Sequence, residues 1–344
     1  MSTLRLGTRR SALAVTQSTL VADALREHGH DVELVELSTF GDESTRTLTA
    51  IGGTGVFAAA IRQALLTGEV DLAVHSLKDL PTSPEPGLVI AALPPRDDPR
   101  DVVVARDGLT LGELPQGATV GTGSPRREAQ INALGLGVAV TPVRGNVDTR
   151  MRFVHTGGLD AVILARAGLA RLGRLDEVTE TLDPLLVLPA PGQGALAVEC
   201  RADRADLRAA VAVLDDPDTR VCVTAERALL AALEAGCTAP VGALAEVVEG
   251  EDGAELSLRA FVGSLDGSLD LRRSLVAPLH DPVEAGRRLA AVLLEDGAAD
   301  ITAPARASTP LTPLEPAETA EPAGTRHPSP TLQPTPSHPR EQVS

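Results

Sequence analysis

The chain has 344 residues, 43% of them hydrophobic, and a formal charge of −16. That length exceeds a single ordinary core and argues for two or three domains. Trp and Tyr are absent and Phe40, Phe57, Phe153 and Phe261 are the only aromatics, so the cores are aliphatic; with the acidic balance this argues against nucleic-acid binding by ring stacking or by a basic surface.

The first ninety residues alternate strand and helix patterns. LRLGT reads as a strand, Ser11 caps a helix through SALAVTQSTLVADALREHG, and Gly29 stops it. DVELVELST is a strand, VFAAAIRQALLTG a helix entered through IGGTG, and VDLAVHS and LVIAAL are further strands. Single helices between strands imply βαβ units and a mostly parallel sheet. The paired arginines Arg9 and Arg10 resemble an export signal only superficially. Thr16, Gln17, Ser18 and Asp23 break up the residues after them, so no apolar region forms there, and no segment is long enough to span a bilayer. The expectation is a soluble cytoplasmic protein.

After the polar, proline-rich PPRDDPRD the pattern restarts. DVVVAR and ATVGTGS are strands, and Ser124 with Pro125 is an N-cap followed by proline, opening the helix PRREAQINAL. VAVTPVR, a helix from Asn146 and the strand LDAVILA complete a second α/β unit, which leaves a cleft between two lobes. From Asp218 one helix runs through DTRVCVTAERALLAALEAG with Gly236 as its terminating residue. Three strands and the helix PVEAGRRLAAVLLEDG then describe a small α+β domain. Beyond Ile301 there are ten prolines between Pro304 and Pro339, and the stretch is expected to be a disordered tail.

Several groups of residues carry chemistry. Lys78, in VHSLKDLPT, is the only lysine among thirty arginines, and Asp79 follows it directly at the end of a strand. An ammonium keeps the neighbouring carboxylate ionised, and such a carboxylate in a cleft can stabilise a cation or move a proton. A solvated surface pair is the plainer alternative. The segment from Thr122 to Arg171 holds Arg126, Arg127, Arg144, Arg150, Arg152, Arg166 and Arg171 against Glu128, Asp148 and Asp160. In GTGSPRRE the two arginines oppose the helix dipole, a conflict that a bound anion resolves. Convergent guanidinium forks suit a ligand with several carboxylates or phosphates; scattered surface arginines are the alternative. Cys200 and Cys222 sit in apolar patterns, whereas Cys237 sits on a loop, where a thiol can be a nucleophile or an attachment point. The three cysteines fit no zinc or disulfide spacing, so no metal is expected.

VHSLKDLPT, GTGSPRR, VRGNVDTR, LPAPGQGALAVEC and EAGCTAPVGA resemble, in order and spacing, the motifs of the porphobilinogen deaminase (hydroxymethylbilane synthase) family over roughly residues 3 to 303. The resemblance implies two periplasmic-binding-protein-like α/β lobes with a cleft between them and a small C-terminal α+β domain. The expected boundaries are 1–96 with 192–215, 99–189 and 217–302, and the tail from 303 to 344 has no counterpart in the family core. The resemblance implies a transferase of tetrapyrrole and heme biosynthesis that joins four porphobilinogen molecules head to tail, releasing four ammonia and hydroxymethylbilane. It also implies a dipyrromethane cofactor bound by a thioether to Cys237 and held by Lys78, Ser124, Arg126 and Arg127. Asp79 is the implied catalytic residue. Arg9, Ser11, Arg144, Arg150, Arg171, Phe57 and Gln193 are the implied substrate contacts, and a monomer without membrane or nucleic-acid partners is implied as well. Thr54 and Pro125 depart from residues common in the family. The competing expectation is a non-catalytic two-lobed binder of small anions, which has no use for Cys237 or for a third domain.

Overall fold

The computed structural model describes residues 3–37, 56–234, 239–251 and 253–302. The first lobe opens with β1 (Leu4–Arg9), α1 (Ala12–Glu27) and β2 (Val32–Leu37), and continues with α2 (Val56–Thr67), β3 (Leu72–Ser76) and β4 (Leu88–Ala92). Ser11 caps α1 as expected, its hydroxyl accepting from the Ala14 amide at 3.4 Å. The alternation in LRLGTR places Leu4 and Leu6 in the core, Leu6 fully buried. Burying each such leucine contributes roughly 1.5–3 kcal/mol.

The chain then crosses to a second lobe of β5 (Asp101–Ala105), β6 (Thr119–Gly121), α3 (Pro125–Ala133), β7 (Ala139–Thr141), α4 (Val147–His155), β8 (Ala161–Ala165), α5 (Arg166–Arg171) and β9 (Glu180–Thr181). Every residue of β5 is buried. Val103 and Ala105 enter one apolar cluster while Val102 and Val104 enter another, so helices and loops cover both faces of this sheet. The chain returns to the first lobe as β10 (Leu196–Arg201), followed by α6 (Ala205–Val211).

The first sheet has the order β2-β1-β3-β10-β4 and the second β7-β6-β8-β5-β9. Pairs β1–β2, β1–β3, β6–β7 and β6–β8 are parallel, but β10 runs antiparallel to β3 and β4, and β5 antiparallel to β8 and β9. In each sheet four strands therefore run one way and a single strand runs against them, a mostly parallel sheet with one antiparallel member. The reason is connectivity: the strand that enters each lobe from the other approaches from the cleft side and runs against its neighbours.

The last unit packs α7 (Pro217–Ala232) and α8 (Pro282–Glu295) on an antiparallel sheet of β11 (Val241–Gly250), β12 (Gly253–Gly263) and β13 (Asp270–Pro278), and a short α9 (Ala298–Thr302) closes it. The helices touch closely at Gly286, where an added Cβ would stand 2.4 Å from the Ala225 carbonyl oxygen. Helix α7 ends earlier than expected. Leu233 caps it and Glu234 takes the left-handed conformation (φ 50°) that Gly236 was expected to supply. Gly236, the IGGTG loop and the expected disordered tail lie outside the described residues. Among the described residues no helix is long and apolar enough to cross a membrane.

Candidate active site

The expected site residues follow the carboxyl ends of parallel strands, where open α/β sheets place ligands. Arg9 ends β1 and Ser11 follows it; Lys78 and Asp79 form a single turn after β3; Ser124, Arg126 and Arg127 open α3 after β6; Arg144 follows β7. The two antiparallel strands add their entry residues at the same ends. Asp101, the first residue of β5, lies opposite Ala165, the last of β8, and Gln193 stands three residues before Leu196, which lies opposite Ser76.

These two entry residues organise the centre. Asp101 is fully buried and accepts from Arg126 Nη2 at 2.8 Å, Arg127 Nη2 at 2.7 Å and Gln193 Nε2 at 2.7 Å. Gln193, 1% exposed, also donates from Nε2 to the Pro99 carbonyl at 2.6 Å, and its Oε1 accepts from Lys78 Nζ at 3.3 Å. Each arginine also donates from Nη1 to a backbone carbonyl, Arg126 to Leu188 at 2.6 Å and Arg127 to Ile163 at 2.8 Å. Burial alone would push the Asp101 carboxyl up. The two guanidiniums, with hydrogen bonds from Arg127 and Gln193, outweigh that and hold it well below the usual carboxylate range.

Lys78 feels the opposite balance. Burial lowers its ammonium to about 8, Arg127 and Arg126 act in the same direction, and Asp79 and Asp101 oppose them. Arg150 is pushed down to about 10, first by burial and then by Arg127 and Arg144, with Asp79 opposing; its Nε donates to the Gly145 carbonyl at 2.9 Å. Lys78, Arg126, Arg127 and Arg150 thus share one electrostatic neighbourhood with Asp79, a solvent-exposed carboxylate at its edge.

Arg171 stands apart from that cluster, as a latch between lobes. Its Nε donates to Asp97 at 2.8 Å and its Nη2 to the Gly194 carbonyl at 2.6 Å. Gly194 is required there, since at φ 89° an added Cβ would stand 2.4 Å from the Asp97 carbonyl oxygen. The crossover at residues 94–101, which reads in sequence as a linker, is a hub of charge. Arg96 pairs with the buried Glu226 of α7 at 2.6 Å, Asp97 with Arg171, and Asp98 with Arg100 at 2.6 Å and Arg166 at 3.4 Å. Glu226 also accepts from the amides of Gly192 at 2.6 Å and Ala245 at 2.8 Å, fixing the segment that carries Gln193 against the third domain.

Asp101, Asp97 and Glu226 escaped the sequence reading. The excess of seven arginines over three acids in 122–171 left unpaired cations whose partners had to come from elsewhere, and RDDPRD was the nearest acidic stretch. Of the expected residues, Cys237 lies outside the described set, as does the side chain of Phe57, whose backbone is in the first turn of α2.

The donors present fit a carboxylate-bearing group. Among the described residues Arg126 Nε and Arg127 Nε are buried without an acceptor, and Ser124, although it occupies the N-cap of α3, makes no capping bond with its hydroxyl. A buried guanidinium with an unanswered N–H is costly until an anion meets it.

Two α/β lobes that bring Lys78, Arg126, Arg127 and Arg150 together near the exposed Asp79 define a two-lobed α/β protein with a strongly cationic centre. Its sequence is more particular. Residues 4–209 match the family model described as "Porphobilinogen deaminase, dipyromethane cofactor binding domain", and residues 220–295 match "Porphobilinogen deaminase, C-terminal domain". The chain is 60% identical over 308 residues to porphobilinogen deaminase 1 of Streptomyces coelicolor, covering 87% of this chain and 97% of that protein. It is 59% identical over 303 residues to porphobilinogen deaminase of Mycobacterium tuberculosis, covering 87% and 98%. It belongs to the porphobilinogen deaminase family. A periplasmic substrate-binding protein of an ABC transporter from Coxiella burnetii is similar in structure at a TM-score of 0.41 and 14% identity, over 63% of this chain and 94% of that one.

Proposed function

We propose that the protein joins porphobilinogen molecules head to tail, releasing ammonia at each step and hydroxymethylbilane after four, in tetrapyrrole biosynthesis. The observation that carries this reading is the cluster of Lys78, Arg126, Arg127 and Arg150 beside Asp79, in a chain whose first 209 residues match a dipyrromethane-binding domain almost throughout. Each added pyrrole brings an acetate and a propionate, so the growing chain is a polycarboxylate that only a strongly cationic cleft can hold.

When bound, the dipyrromethane would supply the nucleophilic pyrrole carbon from which the chain is extended. In this reading Cys237 is its attachment point, and Lys78, Ser124, Arg126 and Arg127 hold its carboxylates, the orphaned Nε atoms giving the two arginines a donor each. Arg9, Ser11, Arg144, Arg150 and Arg171 hold incoming or elongated pyrroles, with Phe57 lining the cleft. Gln193, buried and committed inside the protein, serves by orienting Lys78. Loss of ammonia leaves a cationic substrate carbon, and Asp79 is placed to stabilise that charge and to take protons from pyrrole nitrogens. The crossings near residue 97 and residue 190 divide the chain as 1–96 with 192–215, 99–189 and 217–302. A cytoplasmic monomer acting without nucleic acid or membrane completes the reading, in keeping with the charge of −16.

Incubation of the purified protein with porphobilinogen tests it. Four ammonia per hydroxymethylbilane are expected, and binding of porphobilinogen without ammonia release would favour the non-catalytic anion binder.

A further inference from the structure

We propose that Asp101 is the positioning residue for the cofactor-site cations of both lobes, directly through Arg126 and Arg127 and, by way of the Gln193 amide, through Lys78. The proposal rests on the reading that this cleft holds cofactor carboxylates, and it adds what makes the cleft able to do so.

One fully buried carboxylate meets three donors from two different segments, at 2.8 Å (Arg126), 2.7 Å (Arg127) and 2.7 Å (Gln193). Without it, two guanidiniums on consecutive residues would lie side by side at a helix start whose dipole already disfavours cations. Asp101 anchors one Nη2 of each, and the Leu188 and Ile163 carbonyls anchor each Nη1, so both Nε groups are left as the uncommitted donors. The forks are therefore fixed in place before any ligand arrives.

The effect on Lys78 is a matter of polarity. An ionised carboxylate accepts and never donates, so the Gln193 amide must turn its NH2 toward Asp101 and the Pro99 carbonyl. Its oxygen then faces Lys78 Nζ. An asparagine at 101 keeps only one of the two oxygens and no charge, so the anchor for the guanidiniums and for the Gln193 amide is weakened, while the Pro99 carbonyl alone still holds the Gln193 NH2. The groups facing Lys78 are Asp79 on its own turn, Arg126 and Arg127 from α3, Asp101 from β5 and Gln193 ahead of β10. Asp101 and Asp79 are the two anions among them, so loss of Asp101 favours the neutral amine.

The sole lysine makes this measurable. Full-length protein grown with lysine labelled with carbon-13 at Cε carries one lysine signal, and its pH titration reports Lys78 alone. Wild type, Asp101→Asn and Gln193→Leu are compared as purified and again with Cys237→Ser added, so that a missing adduct is not mistaken for a missing relay. Intact mass reports the pyrrole adduct in parallel. The expected result is a fall in the Lys78 midpoint of about one pH unit in Asp101→Asn and a smaller fall in Gln193→Leu, in both backgrounds. Adduct occupancy is expected to drop several-fold in Asp101→Asn. A wild-type midpoint in both variants overturns the proposal; if Asp101→Asn does not fold, an unchanged midpoint in Gln193→Leu overturns it alone. Absence of an adduct from wild type would sink the functional reading, while the titration would still decide the role of Asp101.

Discussion

The arginines of the cleft are held in two different ways. Arg126 and Arg127 are nearly inaccessible and tied to the internal carboxylate of Asp101, whereas Arg171 is tied to Asp97, whose side chain is 46% exposed, and Arg150 to the backbone of Gly145. An internal partner fixes direction, because a buried guanidinium cannot leave it without stranding a charge. A rim partner can be exchanged for a ligand carboxylate at little cost, since water or a second anion takes over what is released. The comparison separates residues that define where the cofactor sits from residues that can let go as the pyrrole chain lengthens.

The largest effect is expected at Asp79, which belongs to neither group. Asp79→Ala should lower kcat by about a thousandfold through loss of charge stabilisation and proton transfer. Its adduct mass should stay that of wild type, and equal losses of rate and adduct would mean that Asp79 acts by holding the cofactor. Next comes the contrast between the arginines. Arg127→Ala should destabilise the fold by about 3 kcal/mol in denaturant melts, since it breaks a buried pair and leaves Asp101 half-satisfied. Arg171→Ala should cost less, about 1–2 kcal/mol, because the half-exposed Asp97 that it releases is taken up by water, while KM for porphobilinogen rises roughly tenfold. Similar melting losses for both would erase the distinction.

Glu226→Gln should cost about 2 kcal/mol, because Arg96 loses its counter-charge and, the Gly192 and Ala245 amides bonding different carboxylate oxygens, one of them loses its acceptor. A pH dependence tests the burial of Lys78. Lys78 falls from 10.5 in the unfolded chain to about 8 when folded, so its burial as a cation opposes folding below about pH 8, and between 8 and 10.5 the unfolded chain holds the extra proton. Stability measured without the cofactor should therefore rise with pH across that window in wild type relative to Lys78→Met, and parallel curves for the two would show that the ammonium is not buried as described.

Much of this was legible in the sequence, for identifiable reasons. Most strands and helices announced themselves by period and cap, with Ser11 before α1, Ser124 and Pro125 before α3 and Asn146 before α4, whereas the short β9, α6 and α9 did not. The unique Lys78 and the arginine island marked the site. The directions of β5 and β10 were not legible, because an apolar run of five or six residues reads the same parallel or antiparallel. Nor was the Asp101 network, whose partners stand 25, 26 and 92 residues away and meet only once both crossovers are made. The end of α7 was misplaced because Glu234 accepts a left-handed backbone that the sequence assigned to Gly236.

The most direct test of the central claim, that this cleft holds a covalently attached pyrrole pair from which the product grows, is the intact mass of the purified protein beside that of Cys237→Ser. The account predicts the added mass of two linked pyrroles on the first and none on the second. An unmodified mass in both, unchanged after incubation with porphobilinogen, would contradict it.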